Sequence, residues 1–211
     1  MTEKVRILSI EKYKGQTYCV EVDGFENIYL HSSVISEYHL KADMELPQSA
    51  LEDIMFANDY RRAKERALYL FDYRDHSYKE LYDKLKRNYS KEVCDAVMEK
   101  MCEIGLVNDK KYAEKYARQL FEIRRLGKYR AKAELFKKGI AKEIIDEILE
   151  EYDDDTSERL YELIEKKYAR YLTDEKGIKK VFSALIRNGY SYSDAREGIK
   201  QFLDEVEFNG D

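Results

Sequence analysis

The chain has 211 residues, 44% hydrophobic and 38% charged, with nine glycines and a single proline. That length holds one large or two small domains with a buried core, and the composition favours helices with solvated outer faces. No stretch approaches the ~18 apolar residues of a membrane span. The start, Met1-Thr2-Glu3-Lys4-Val5-Arg6, lacks the apolar core of a signal peptide, so a cytoplasmic location is expected.

Residues 5–30 alternate as strands do. Val5, Ile7 and Ser9-Ile10 lead to a turn at Lys14-Gly15-Gln16. Tyr18, Val20 and Val22 then follow with polar neighbours between them, the period-2 spacing of a half-buried strand. Asp23-Gly24 signals a second turn, Ile28-Tyr29-Leu30 a third strand, and a brief helix is expected from Ser33 to Tyr38. Pro47 closes a small β-rich domain (1–48). Ser49-Ala50-Leu51-Glu52 has the form of a capping box opening a linking helix (49–62).

From residue 63 the chain repeats with a period near 50. Ala67-Leu68-Tyr69-Leu70-Phe71-Asp72-Tyr73-Arg74 aligns with Ala117-Arg118-Gln119-Leu120-Phe121-Glu122-Ile123-Arg124. Lys115-Tyr116-Ala117-Arg118-Gln119-Leu120 matches Lys167-Tyr168-Ala169-Arg170-Tyr171-Leu172 at five of six positions. Lys86-Arg87-Asn88, Lys137-Lys138-Gly139 and Arg187-Asn188-Gly189 occupy one turn. The expected fold is therefore mainly α: three three-helix repeats (63–110, 111–152 and 159–211 with the tail), with an acidic linker at 153–158. Successive units stack to complete a core. The third helix of a unit carries Val93, Val97, Met98 and Met101, or Ile144, Ile148 and Leu149, a buried stripe. Gly139 and Gly189 fit the left-handed residue that ends a helix, and Asn88 is expected to adopt the same conformation.

Three scattered cysteines, Cys19, Cys94 and Cys102, read as small buried hydrophobes. Cys94 and Cys102 sit about 12 Å apart along a predicted helix, too far for a disulfide. His31, His39 and His76 join them at no zinc-ligand spacing. There is no glycine-rich phosphate loop after a strand and no nucleophile with a recognisable base, so neither catalysis, cofactor nor metal is expected.

Charge is uneven. Residues 111–139 hold ten basic and three acidic residues, residues 140–158 one basic and nine acidic. Arg124, Arg125, Lys128, Arg130, Lys132, Lys137 and Lys138 form the strongest candidate surface, since neutralising several phosphates releases counterions. A solvated helix face is the plainer reading of such a run. Six of them (Arg124, Arg125, Lys128, Arg130, Lys137 and Lys138) are expected to share one face. Lys86, Arg87 and Arg187 place cations at the repeated turn, where they either complement helix dipoles or form a periodic row for a periodic ligand. The tyrosines on apolar stripes (Tyr112, Tyr116, Tyr168, Tyr171) are more simply half-buried core residues than base-stacking groups.

The repeats resemble the RecX family. The likeness rests on Ser77-Tyr78-Lys79-Glu80-Leu81 with Leu85, on the junction Gly105-Leu106-Val107-Asn108-Asp109-Lys110-Lys111-Tyr112-Ala113, and on Arg125-Leu126-Gly127-Lys128-Tyr129 leading to Leu135-Phe136-Lys137-Lys138-Gly139-Ile140. It covers residues 60–203, and the β-rich extension is similar to that of longer members from Gram-positive-type bacteria. The resemblance implies a regulator that binds RecA nucleoprotein filaments, lies in their groove, and modulates ATPase and strand exchange, usually by inhibition, in DNA repair and recombination; a monomer is expected. It also implies some affinity for single- or double-stranded DNA. The acidic balance of this chain departs from the basic members, so free DNA binding is expected to be weak and recombinase contact dominant. A nucleic-acid-binding repeat protein without a recombinase partner and a helical scaffold for another partner are the alternatives.

Overall fold

A computed structural model describes residues 4–152 and 156–209, with side chains to Glu207; residues 153–155 of the expected acidic linker lie outside the described residues. Two compact units form, Met1–Arg74 with Leu81–Leu106, and Asp75–Glu80 with Val107–Asp211.

The first unit opens with an antiparallel sheet of order β3-β2-β1-β4: β1 (Lys4–Lys14), β2 (Thr17–Val22), β3 (Ile28–His31) and β4 (Glu45–Pro47). Alternation buries Val5, Ile7, Val20, Val22, Leu30 and Leu46 on one face. The helices α1 (Ser32–Glu37) and α2 (Gln48–Tyr73) cover it through Val34, Leu51 and Ile54. The sequence pattern does not reveal β4. Three residues ending in proline suffice for an edge strand, and Lys4–Glu45 (3.4 Å) and Arg6–Asp43 (2.7 Å) fasten it to β1 and to the turn before it.

The expected capping box does not form. Pro47 is the N-cap of α2 at φ −61°, ψ 147° and makes no side-chain cap bond, which puts Ser49 inside the first turn. Pro47 leaves the strand in extended backbone with φ already set, so the helix starts at once behind it. The linking helix and the first helix of repeat 1 are one continuous element, about 39 Å long. Asn58, buried at 5% exposure, anchors it to β3: its Oδ1 accepts the His31 N–H (3.0 Å) and its Nδ2 donates to the Tyr29 carbonyl (3.2 Å).

Further along, Ala63, Ala67 and Leu70 are buried where α2 packs on α4 (Lys91–Glu103), whose Val93, Val97, Met98 and Met101 are buried as their spacing predicts. Asn88 is not left-handed, unlike Gly139 (φ +79°) and Gly189 (φ +92°). The first copy is one residue shorter, and its turn closes with Asn88 and Tyr89 both donating to the Leu85 carbonyl (3.0 and 3.2 Å). Of the cysteines only Cys94 is buried; Cys19 is half-buried and Cys102 exposed, because Cys102 falls off the apolar stripe of α4.

The second unit holds two repeats and the start of α3 (Tyr78–Leu85). Repeat 2 comprises α5 (Asp109–Arg118), a π-helical turn (Gln119–Ile123), α6 (Lys128–Lys137) and α7 (Lys142–Glu151). Repeat 3 comprises α8 (Thr156–Leu163), a π-helical turn (Ile164–Tyr168), a 3₁₀ turn (Ala169–Tyr171), α9 (Glu175–Arg187) and α10 (Tyr192–Asn209). Ala113, Ala117, Phe121, Leu135, Ile145 and Ile148 centre one core; Leu160, Ile164, Val181, Leu185 and Ile199 centre the other.

A close backbone contact joins these two repeats, and a related contact joins the first repeat to the second. The stretch before α6 lies against the turn after α9: Gly127 N–H donates to the Asn188 carbonyl (2.9 Å), and Tyr129 N–H to the Gly189 carbonyl (3.0 Å). A Cβ on Gly127 would stand 2.3 Å from the Gly189 backbone, so glycine is required there. Fifty residues earlier the stretch before α3 meets the turn after α6 through a side chain instead, with Ser77 Oγ donating to the Lys138 carbonyl (2.6 Å). Two side chains reinforce the later copy. Tyr190 hydroxyl donates to the Arg125 carbonyl (2.9 Å). Arg159, 7% exposed, donates to the Tyr152 carbonyl and lies over the stacked Phe121 and Tyr152 rings.

Gly127→Ala must push two backbones apart, and a loss of about 2 kcal/mol or more is expected, read as a lower midpoint in thermal unfolding. Burial pushes the Tyr190 hydroxyl from 10.0 up to about 12. Between those values the unfolded chain releases a proton that the folded chain retains, so stability falls as pH rises through that window, by about 1.4 kcal/mol per unit at most. Tyr190→Phe should be about 1 kcal/mol less stable at neutral pH and should show a shallower alkaline loss in urea titrations.

Candidate nucleic-acid interface

The cations singled out by sequence do not share one face. Arg124, Lys128, Arg130 and Lys137 are exposed, whereas Arg125 and Lys138 are drawn into contacts between repeats. Arg125 stands at φ +51° just after the π-helical turn and pairs with Glu162 of α8 at 2.6 Å, the two side chains 28% and 33% exposed. Glu162 is held below the usual carboxylate range by its bond to Lys166, then by Arg125. Lys138 pairs with Glu80 at 2.6 Å, at 28% and 16% exposure, and lies 5.4 Å from the Tyr116 ring centroid. Glu80 also accepts the Tyr112 hydroxyl (3.1 Å), and its N–H donates to Ser77 Oγ (3.2 Å). So Ser77 and Glu80 form a capping box at the start of α3.

Helical geometry, at ~100° per residue, divides the remaining α6 cations. Lys128 and Lys132 fall on the flank toward α7, where Lys132 bonds Asp146 (2.7 Å) and, with Lys142 and Lys128 farther off, keeps its carboxyl below the usual range. Arg130 and Lys137 fall on the other flank and share Glu134 (3.0 and 3.6 Å). Between the flanks run Tyr129 (67% exposed), Ala133 and Phe136 (46%). The sequence reading missed this stripe. Its signal is the i, i+4, i+7 spacing opposite the buried Ala131 and Leu135, which singles out an apolar face with no core to cover.

The π-helical turn is a second feature that periodicity does not disclose. It keeps Leu120 and Phe121 buried while leaving Ile123 75% exposed, with Arg124 next in the chain. Arg187 is exposed at the C-terminus of α9, and its turn neighbour Asn188 supplies the carbonyl that Gly127 binds. Lys86 and Arg87 are exposed in the first unit. Among the tyrosines, Tyr112 is buried, Tyr116 and Tyr168 are half-buried, and Tyr171 is 46% exposed.

The junction motif resolves into caps. Asn108 Oδ1 accepts the Lys111 N–H (3.0 Å) and caps α5. Asp109 accepts the Tyr78 N–H (2.7 Å), and its half-burial raises its pKa against that bond. Among the described residues no group of three or more His, Cys, Asp or Glu side chains could hold a metal ion, and no helix is long and apolar enough to cross a membrane.

Residues 63–101, 108–149 and 153–199 match the first, second and third three-helix domains of RecX in turn. The chain belongs to the RecX family. The regulatory protein RecX of Streptococcus gordonii is 30% identical over 202 residues, covering 95% of this chain and 78% of that one. That of Chlorobium phaeobacteroides is 33% identical over 151 residues, 71% of this chain and 99% of its own. The crystal structure of a regulatory protein RecX aligns with 93% of this chain and 99% of that one at a TM-score of 0.68 and 25% identity. RecX from Lactobacillus salivarius aligns with 69% and 97% at 0.63 and 29%.

In this RecX-family chain the two classes of cation are separable by stability. Lys138→Ala strips a charged hydrogen bond from Glu80 and should cost about 2 kcal/mol, whereas Arg124→Ala should stay within about 0.5 kcal/mol of wild type; urea unfolding of both variants makes the comparison.

Proposed function

We propose that this chain regulates a RecA-type recombinase by binding its nucleoprotein filament, inhibiting ATPase and strand exchange during DNA repair and recombination. The observation that carries the reading is the succession of three RecX domains, the second of which leaves cations and an apolar stripe exposed on α6. Phosphates of the filament meet Arg124, Lys128, Arg130, Lys137 and Arg187, with Lys86 and Arg87 serving the first repeat. The stripe of Tyr129, Ala133 and Phe136 meets the recombinase itself. Arg125 and Lys138 hold the repeats in place for this contact.

On the same reading the chain acts in the cytoplasm as a monomer, without catalysis of its own, and binds free DNA weakly. Repeat 2 supports that weakness, since residues 111–152 hold eleven basic and eight acidic residues, and α7 supplies partners to Lys132 and, through Glu147, to Lys110 (2.6 Å).

RecA ATPase on single-stranded DNA is measured with wild type and with an Arg124→Glu/Lys128→Glu/Lys137→Glu variant, helicity by circular dichroism being the control. Wild type should inhibit; the variant should inhibit several-fold less. Its filament binding should lose roughly 0.7 of log–log salt slope for each single-strand phosphate contact removed. No effect of wild type on ATPase would sink the recombinase reading. Full inhibition by the folded variant would move the contact to repeat 1.

A further inference from the structure

A cleft of about 520 Å³ opens on the N-terminal domain, between the β1–β2 hairpin, β3 and the middle of α2. That volume falls in the ~300–1,000 Å³ range of small-ligand sites. Its walls include Tyr13, Lys14, Tyr29, His31, Arg61 and Arg62. Tyr13 (64% exposed) and Tyr29 (47%) form an edge-to-face pair with centroids 4.9 Å apart and planes at 61°. A solvated aromatic pair carried by β1 and β3, one strand apart across β2, is not core; flat rings are its natural partners.

The charge of the cleft runs against that of its domain. Residues 1–65 hold eight basic and twelve acidic residues, yet among the described residues lining the cleft Lys14, Arg61 and Arg62 stand against a single acid, Glu65. Arg61 pairs with Glu65 (2.6 Å), while the long contact of Arg62 with Asp59 (3.8 Å) is solvated, with Arg62 59% exposed, and worth little. The walls are also set in place. Asn58 ties α2 to the backbone of Tyr29 and His31. Both nitrogens of His31 are engaged, Nδ1 accepting the Ser33 N–H (3.1 Å) and Nε2 facing Gln16 Oε1 (2.7 Å), the arrangement of a neutral ring protonated on Nε2.

We infer that this cleft binds one unpaired nucleotide of single-stranded DNA, its base stacked on Tyr13 and Tyr29 and its phosphate met by Lys14, Arg61 and Arg62. A free mononucleotide shares that chemistry and is the other source to be distinguished. Neither the cleft nor its ligand depends on a recombinase, so the inference stands or falls apart from the filament reading.

The full chain is titrated into a fluorescent oligothymidylate, and a 5-bromouracil version of the strand is crosslinked by ultraviolet light and mapped by peptide mass. Crosslinks on the peptides bearing Tyr13 or Tyr29 are expected, with binding weakened by at least about five-fold in Tyr13→Ala/Tyr29→Ala. Arg62→Glu, at an exposed position, gives the same test should the tyrosine variant fail to fold. If adenosine monophosphate abolishes the crosslinks at these peptides at concentrations below the strand's own, the occupant is the free nucleotide; if not, it is the strand. Crosslinks confined to residues beyond 65, with both variants binding as wild type does, would overturn the site, as would no detectable binding of strand or mononucleotide.

Discussion

The second unit rests on a close backbone contact: the stretch entering the second helix of one repeat donates to the turn that ends the second helix of the next. Glycine at 127 and 189 permits an approach that any Cβ would block, and the peptide groups there bond each other. In the earlier copy the donor is the Ser77 hydroxyl instead, and the acceptor is still the carbonyl before a left-handed glycine. Both partners must arrive in register, so the contact itself demands a near-constant repeat length of about 50 residues. The left-handed glycines at 139 and 189 serve that register.

The contact also reorders the electrostatics. Residues 111–139 and 140–158 look like opposed charge blocks in the chain, but α6 and α7 fold onto one core and Lys132–Asp146 bridges them, while Lys110–Glu147 ties the start of α5 to α7. Two more basic residues act as adhesive between repeats, Arg125 toward Glu162 and Lys138 toward Glu80. These pairs are about two-thirds or more sheltered, and shelter reduces screening. Solvent retains a smaller set of cations around an apolar ridge, a surface suited to a partner that is both charged and partly hydrophobic.

How much of this was legible follows from which signals are local. The β-rich start, the three-helix units and the buried stripe of α4 are written in periods of 2 and 3.6, and the structure has them; in α7 Ile148 and Leu149 are buried as read, but Ile145 rather than the half-buried Ile144 completes the stripe. The RecX likeness was legible through caps and junctions, Ser77 with Glu80 and Asn108 with Asp109, which serve the fold. Strand β4 was hidden because three residues carry no period. The start of α2 was misread because Pro47 could cap as well as end a segment. The division of the basic run was hidden for a different reason: Glu80 and Glu162 lie 58 and 37 residues from the cations they bind, and no window along the chain joins them. The π-helical turns add a residue without changing composition, so the outward position of Ile123 and Arg124 was equally invisible.

Helix α2 has a consequence of its own. One uninterrupted rod carries Leu51 and Ile54 in the sheet core, Asn58 and Arg61 at the cleft, and Ala63, Ala67 and Leu70 in the first repeat. A rise of about 1.5 Å per residue makes it a ruler: Arg61 and Leu70 are separated by a fixed ~14 Å along its axis. It contains neither proline nor glycine where a hinge could form. The sheet therefore has no swivel relative to the first repeat, and a load placed on one is felt by the other as torque.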